Sequence, residues 1–342
     1  MTTTPFPEWL EPAWQQLLRS WQQSRLPHAL LLAGPEGIGK HRLSQRLTAL
    51  LLCEQPSSEG EGCGRCPSCG WLRAGTHPDL TVLNPEETGK AIKVDQVRAL
   101  GVELGMTSHA GGYKVAVIAP ADAMNVNAAN SLLKTLEEPT DRTLLILVSA
   151  APGRLPATVR SRCQRLRLQP PDNTRALAWL AAAGIDAEAA RRCLQIAAGA
   201  PLAAAQLAAD GLLAVYDRRL AQLAAVFNGR QDPLQAAADW QKEHEAHTLS
   251  WWQGWLQALL RWQQAGVAPA DVKVAQTLQQ ISESVDCRQL YQLSDRVAAA
   301  LGSVGSGLNR QLLLEDLLID WARLAGRPPA PGAATGSAKK TL

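Results

Sequence analysis

A short apolar run that ends in a glycine-rich turn and leads into a helix restricts the fold of this chain more than any other feature. HALLLAG at residues 28–34 reads as a buried strand and GPEGIGKH at 34–41 as a tight loop. HRLSQRLTALLLC then reads as a helix, with Leu43, Leu47, Leu50 and Leu51 at helical spacing. A strand, loop and helix of this kind suit phosphate binding: backbone N–H groups surround an anion at a helix N-terminus, and a lysine reaches the outer phosphates. Gly34, Gly39 and Lys40 fit the G-x-x-x-x-G-K-S/T pattern, and Gly37 lies between them, so these four are the candidate nucleotide-binding residues. His41 stands where a hydroxyl would hold Mg²⁺, and the residues leave nucleotide binding open.

The segments that follow place this loop in an α/β layer. DLTVLNP (79–85), KVAVIAP (114–120) and TLLILVSA (143–150) read as further strands. The segments 94–105 and 127–139 read as the helices between them, the latter ended by Pro139. Such alternation implies a mostly parallel sheet of P-loop type. After about Gln169 the strand signals stop, and Asn173 or Thr174 is placed to cap the next helix. The expected division is an ATPase-like domain over 1–168, a small helical unit over 169–210, a helical domain over 211–326 and a disordered tail over 327–342. Trp251, Trp255 and Trp262 share one face of a helix in the third part and read as packing.

Hydrolysis of a nucleotide needs an acid at the tip of a neighbouring strand to hold the metal and orient water. Here that strand ends in Ala119 and Pro120, and Asp122 comes too late to sit at the tip. The chain is therefore expected not to turn over ATP usefully.

Cys53, Cys63, Cys66 and Cys69 form C-x₉-C-x₂-C-x₂-C, and Gly62, Gly64 and Pro67 supply turns. Four thiolates match a closed tetrahedral zinc site, so residues 53–69 are expected to form a structural zinc module, the alternatives being free thiols or a redox site. His77 is a conceivable substitute ligand, and isolated Cys193 and Cys287 read as buried small hydrophobes.

Charge is nearly balanced: 34 Lys and Arg against 31 Asp and Glu leave +3, too little to argue for a polyphosphate surface. Residues 154–168 nonetheless hold five arginines and no acid. The basic segment reads either as a solvated or nucleic-acid-facing surface or as the carrier of an arginine that reaches a neighbour's nucleotide. The N-terminus has no signal-peptide pattern and the apolar runs are too short to span a bilayer, so a cytoplasmic protein is expected.

Taken together, LPHALLLAGPEGIGK, the four-Cys insert, AGTHPD (74–79), NSLLKTLEEP (130–139) and SRC (161–163) resemble the clamp-loader branch of the AAA+ ATPases, firmly over about residues 26–167. GAPLAAAQL (199–207) and NRQLLLEDLL (309–318) are more loosely similar to its lid and collar segments. Loss of the strand-tip acids with retention of SRC matches the branch's non-motor subunit in bacterial DNA polymerase III.

The resemblance implies a ring of this chain with three gamma/tau subunits and delta, which opens the sliding clamp and places it on primer-template DNA. It implies that Arg162 acts in trans as an arginine finger, completing the ATP site of an adjacent gamma/tau subunit. It also sets Leu202 where motor subunits carry a lid arginine. Glu137 and Glu138 fall at a helix end, read as structural or solvated, and are assigned no catalysis. Competing readings are an active ATPase motor, gamma/tau-like or branch-migration-like, and a zinc-stabilised DNA-binding protein, which the small charge excess disfavours.

Overall fold

The computed structural model describes residues 6–87, 90–242, 245–302 and 309–325; the tail expected over 327–342 lies outside them. The chain divides into two compact units, residues 1–206 and 207–342.

The first unit is built on five parallel strands, β1 (Ala29–Ala33), β2 (Leu80–Leu83), β3 (Lys114–Ile118), β4 (Thr143–Ser149) and β5 (Gln164–Arg167), in the order β2-β3-β4-β1-β5. β1, β3 and β4 are buried throughout, as unbroken apolar strands covered on both faces must be. Alternation sends Leu30, Leu32, Val115, Val117, Leu144 and Ile146 to one core, and Ala29, Leu31, Ala116, Ile118, Leu145 and Leu147 to the other. The helices on these faces are α1 (Glu11–Gln22), α2 (Lys40–Leu52), α3 (Pro67–Ala74), α4 (Val94–Gly105), α5 (Val126–Ser131), α6 (Leu133–Glu137) and α7 (Ala157–Arg160). Then come α8 (Asn173–Ala182), α9 (Ala187–Ile196) and α10 (Pro201–Ala209).

Three local readings change. β5 is a fifth strand that sequence reasoning missed: its single buried residue, Leu166, lies among exposed Gln164, Arg165 and Arg167, so composition reads as a basic surface while the backbone pairs with β1. The helix expected over 127–139 is two short ones that meet at Leu132, where the backbone stays in the right-handed helical region and Ser131 Oγ donates to Ala128 O (2.8 Å). The cap of α8 is Asp172, whose carboxylate accepts Arg175 N, rather than Asn173 or Thr174.

The AGTHPD segment ends in a buried carboxylate. Asp79 Oδ1 accepts His109 N (2.8 Å), and Oδ2 accepts Ala110 N (2.9 Å) and Ser108 Oγ (3.0 Å), fixing the loop before β3. Burial alone would raise this carboxyl, but the Ala110, His109 and Ser108 donors outweigh it and hold it below the usual carboxylate range. A depressed folded value means that the stability is present above the unfolded value of about 3.9 and is lost as pH falls through and below it. Asp79→Asn is therefore expected to destabilise the chain by about 1–3 kcal/mol at pH 7, since one set of donors then meets an amide NH₂. It should also flatten the acid limb of stability measured by urea unfolding against pH; an unchanged limb would refute this assignment.

The second unit is helical: α11 (Leu212–Phe227), α12 (Pro233–Lys242), α13 (Glu245–Ala265), α14 (Val272–Ser284), α15 (Cys287–Gly302) and α16 (Arg310–Arg323). Its core is aromatic. Trp252 meets Trp240 edge-on at 5.3 Å and Trp321 at 6.2 Å, and Trp255 Nε1 donates to Tyr216 Oη (2.6 Å). Trp251 and Trp255 are buried as packing, Trp262 only partly, and Trp252, off their face, is more deeply buried than either. Cys193 is buried as expected; Cys287 is not, and lies half-exposed at the start of α15 beside Gln264. Among the described residues no helix is long and apolar enough to cross a membrane.

Candidate functional site

Parallel pairing brings the carboxyl ends of the strands to one edge, where α/β folds bind ligands. There the loop leaves β1, Ala119 follows β3 and Ser149 ends β4. Gly34 N donates to Ser149 O (3.2 Å), and Ala119 N to Leu83 O (3.0 Å). Ala119 is buried at the tip of β3, so no carboxylate occupies that position. Asp122 lies in the following turn, where Oδ1 accepts Ala150 N (3.1 Å) and ties the ends of β3 and β4.

The lysine of the loop turns back onto the loop's own backbone, while Pro35 and Glu36 remain exposed. Lys40 is buried, and its Nζ donates to Gly34 O (2.7 Å) and Pro35 O (2.5 Å), carbonyls of the loop it would serve. Desolvation lowers the Lys40 ammonium, with Glu36 and Asp122 opposing. His41 is also lowered, by desolvation and by Lys40 beside it. From outside, Leu202 N donates to Gly37 O (3.0 Å), seating the start of α10 on the loop. Gly37 has φ +70°, and a Cβ there would lie 2.3 Å from Ala203 Cβ. At Gly39, φ +102°, a Cβ would lie 2.6 Å from Leu10 Cδ1. Trp9 Nε1 donates to Ile38 O (2.9 Å). Ala203 thus lies against Gly37, and Leu10 with Leu202 against Gly39, while Gly34 packs on Leu168 and Ile38. Sequence reasoning set Leu202 in place of an arginine; its contact with the loop becomes visible only in three dimensions.

The four cysteines converge. The Sγ atoms of Cys53, Cys63, Cys66 and Cys69 lie within 4.8 Å of one another, with Cys53–Cys66 at 3.9 Å and Cys63–Cys69 at 4.0 Å. A tetrahedron with metal–sulfur bonds of about 2.3 Å has edges of about 3.8 Å, so the donor set fits a tetrahedral metal ion such as zinc. Cys63 N donates to Cys53 Sγ (3.2 Å), and Cys66 N and Cys69 N donate to Cys63 Sγ and Cys66 Sγ (both 3.4 Å), contacts that favour thiolates. Backbone donors from Arg65 and Cys66 pull the Cys63 thiol down to about 6, while burial pushes Cys69 up to about 12. His77 is not a member: its Nδ1 accepts Asp79 N (3.1 Å) and its ring packs edge-on against Trp71.

Arg162 lies between α7 and β5. Its Nη1 donates to Thr158 O (3.0 Å) and its Nη2 pairs with Glu137 Oε1 (2.6 Å) at the end of α6. Glu137, read from sequence as a solvated helix end, is thus the acid that sequence reasoning missed, and no local spacing signals the pairing. Cys163, next in the chain, is buried, and desolvation pushes its thiol up to about 11.

Two family models match, described as "DNA polymerase III, delta subunit" over residues 9–172 and "DNA polymerase III, delta subunit, C terminal" over residues 212–323. DNA polymerase III subunit delta' of Pseudomonas aeruginosa is 38% identical over 329 residues, covering 93% of this chain and 98% of that protein. The subunit delta' of Escherichia coli is 33% identical, covering 91% and 93%. Among solved structures, a gamma subunit-related protein of Thermotoga maritima aligns over 91% of this chain and 99% of its own, at 16% identity and a TM-score of 0.40. Relatives of 33–38% identity over nearly the full length of both chains show that this chain belongs to the family of DNA polymerase III delta' subunits.

Proposed function

We propose that this chain is a non-hydrolysing subunit of the DNA polymerase III clamp-loader complex that acts through Arg162 on a neighbouring subunit's ATP. The observation that carries the reading is a contrast within one unit. The chain's own loop has Ala203 packed on Gly37 and Leu10 on Gly39, its Lys40 is bonded to the loop backbone and its strand tip holds Ala119, whereas the Arg162 guanidinium is partly exposed and held at a defined place. Without a strand-tip acid, metal-assisted attack of water has no local support, which disfavours the motor reading. An arginine offered from outside can still stabilise charge developing on another subunit's γ-phosphate.

Its partners in this reading are gamma/tau and delta, with the sliding clamp and primer-template DNA engaged through the assembled ring. The thiol quartet holds a structural zinc ion, since a set closed by four sulfurs keeps no position for water or substrate. Reconstitution with gamma/tau and delta tests the proposal. Arg162→Ala is expected to leave assembly intact and to slow hydrolysis at the ATP site it faces, roughly 10³-fold by the usual effect of such arginines. Unchanged DNA-stimulated hydrolysis would sink it.

A further inference from the structure

We propose that Glu137 is the positioning residue for Arg162, presenting its guanidinium to the neighbouring subunit in a fixed orientation. The inference rests on the trans role of Arg162 and adds a device that role does not require.

The pair spans two elements. Glu137 closes α6, while Arg162 follows α7 and precedes β5. Both backbones are anchored in one core: Leu132 and Leu136 precede the first, and Val159 and Cys163 flank the second. Arg162 itself stays in solvent, with 38% of its side chain exposed, as does Glu137 with 50%. A pair this exposed adds little to stability, typically below about 1 kcal/mol. Its effect is orientation. A free arginine side chain samples many rotamers, and that freedom must be given up before a planar fork can meet a phosphate.

Here two of the five N–H groups are committed to separate anchors, Nη1 to Thr158 O and Nη2 to Glu137 Oε1. The guanidinium plane is thereby set, while Nε–H and one N–H on each Nη stay available to an incoming anion. Ordering the group before reaction should act on the transition state, where charge on the phosphoryl group is greatest, more than on ATP binding.

The test uses the ring reconstituted with gamma/tau and delta on primed DNA, comparing wild type, Glu137→Ala, Glu137→Gln, Arg162→Ala and the Glu137→Ala/Arg162→Ala double variant. Glu138→Ala serves as a control that removes a neighbouring charge. Glu137→Ala is expected to lower kcat for ATP roughly 3–10-fold, with KM changed less than about 2-fold, as loss of pre-ordering predicts. Glu137→Gln keeps an acceptor oxygen at the same reach and should recover most of kcat, and Glu138→Ala should match wild type. The double variant should equal Arg162→Ala alone.

Wild-type kcat for Glu137→Ala beside an impaired Arg162→Ala would overturn the positioning role and leave the trans role standing. A further loss from Glu137→Ala in the Arg162→Ala background would show a structural effect and overturn it too. An unimpaired Arg162→Ala would remove the trans role, and this inference with it. Thermal unfolding and ring assembly of each variant identify failure to fold.

Discussion

Replacing Cys69 with serine is expected to abolish zinc binding at the thiol quartet and to lower the stability of the first unit by on the order of 3 kcal/mol. Cys69 is buried and lies 4.0 Å, sulfur to sulfur, from Cys63. A hydroxyl in its place is a poor zinc ligand at neutral pH and leaves three thiolates crowded without a fourth partner. The expected cost is smaller than the whole binding free energy because all four cysteines lie outside the five strands, so the loss should fall first on the insert.

That loss should still reach beyond the insert. Gly60 lies against Trp14 and Leu18 of α1, where an added Cβ would come within 2.7 Å of each. Arg46 of α2 pairs with Glu61 of the insert and with Glu11 (3.2 Å), and stacks over Phe6 at 4.2 Å and Trp14 at 4.3 Å. Metal analysis of the purified wild type should give about one zinc per chain. The variant should have none, with faster proteolysis between residues 54 and 66 and a lower unfolding midpoint. Equal midpoints and equal proteolysis would show that the quartet stabilises nothing.

The thiol quartet was legible because its spacing is local: three cysteines in seven residues leave few alternatives to a knuckle. The same holds for β1, β3 and β4, whose apolar runs leave no polar face to place in water. β5 was illegible for the converse reason. It owes its place to pairing with β1, and its own residues, Gln164, Arg165 and Arg167, resemble surface. The candidate site divides along the same line. Gly34, Gly37, Gly39, Lys40 and the missing acid at Ala119 could be read from a pattern. The packing of Leu10, Leu202 and Ala203 on the loop, and the partner of Arg162, depend on segments brought together only by the fold.

The seat of α10 on the loop carries the last prediction. Gly37→Ala is expected to destabilise the chain by about 2–4 kcal/mol, combining the cost of a left-handed L-residue with that of overpacking. The obstruction is backbone as well as side chain: the new Cβ would lie 2.5 Å from Ala203 N and 2.8 Å from Ala203 Cα, so no rotamer change relieves it. Either the loop or α10 must move, and the bond from Leu202 N to Gly37 O breaks. Gly75 separates the two costs. It has nearly the same backbone, φ +71°, but nothing within 4 Å of an added Cβ, so Gly75→Ala should cost only about 1–2 kcal/mol. The excess at Gly37, read by urea unfolding, measures how firmly α10 sits on the loop, and equal losses would mean that it does not. A firm seat also predicts the response to nucleotide. Ligand held at a Kd one-hundredth of its concentration stabilises a protein by about 2.7 kcal/mol. Mg²⁺–ATP at millimolar concentration should leave the unfolding midpoint of the wild type unchanged, and Lys40→Ala should not alter that indifference, because two of the three Lys40 donors are already engaged by Gly34 and Pro35. A midpoint that rises with ATP in the wild type, and not in Lys40→Ala, would show that the loop opens and binds.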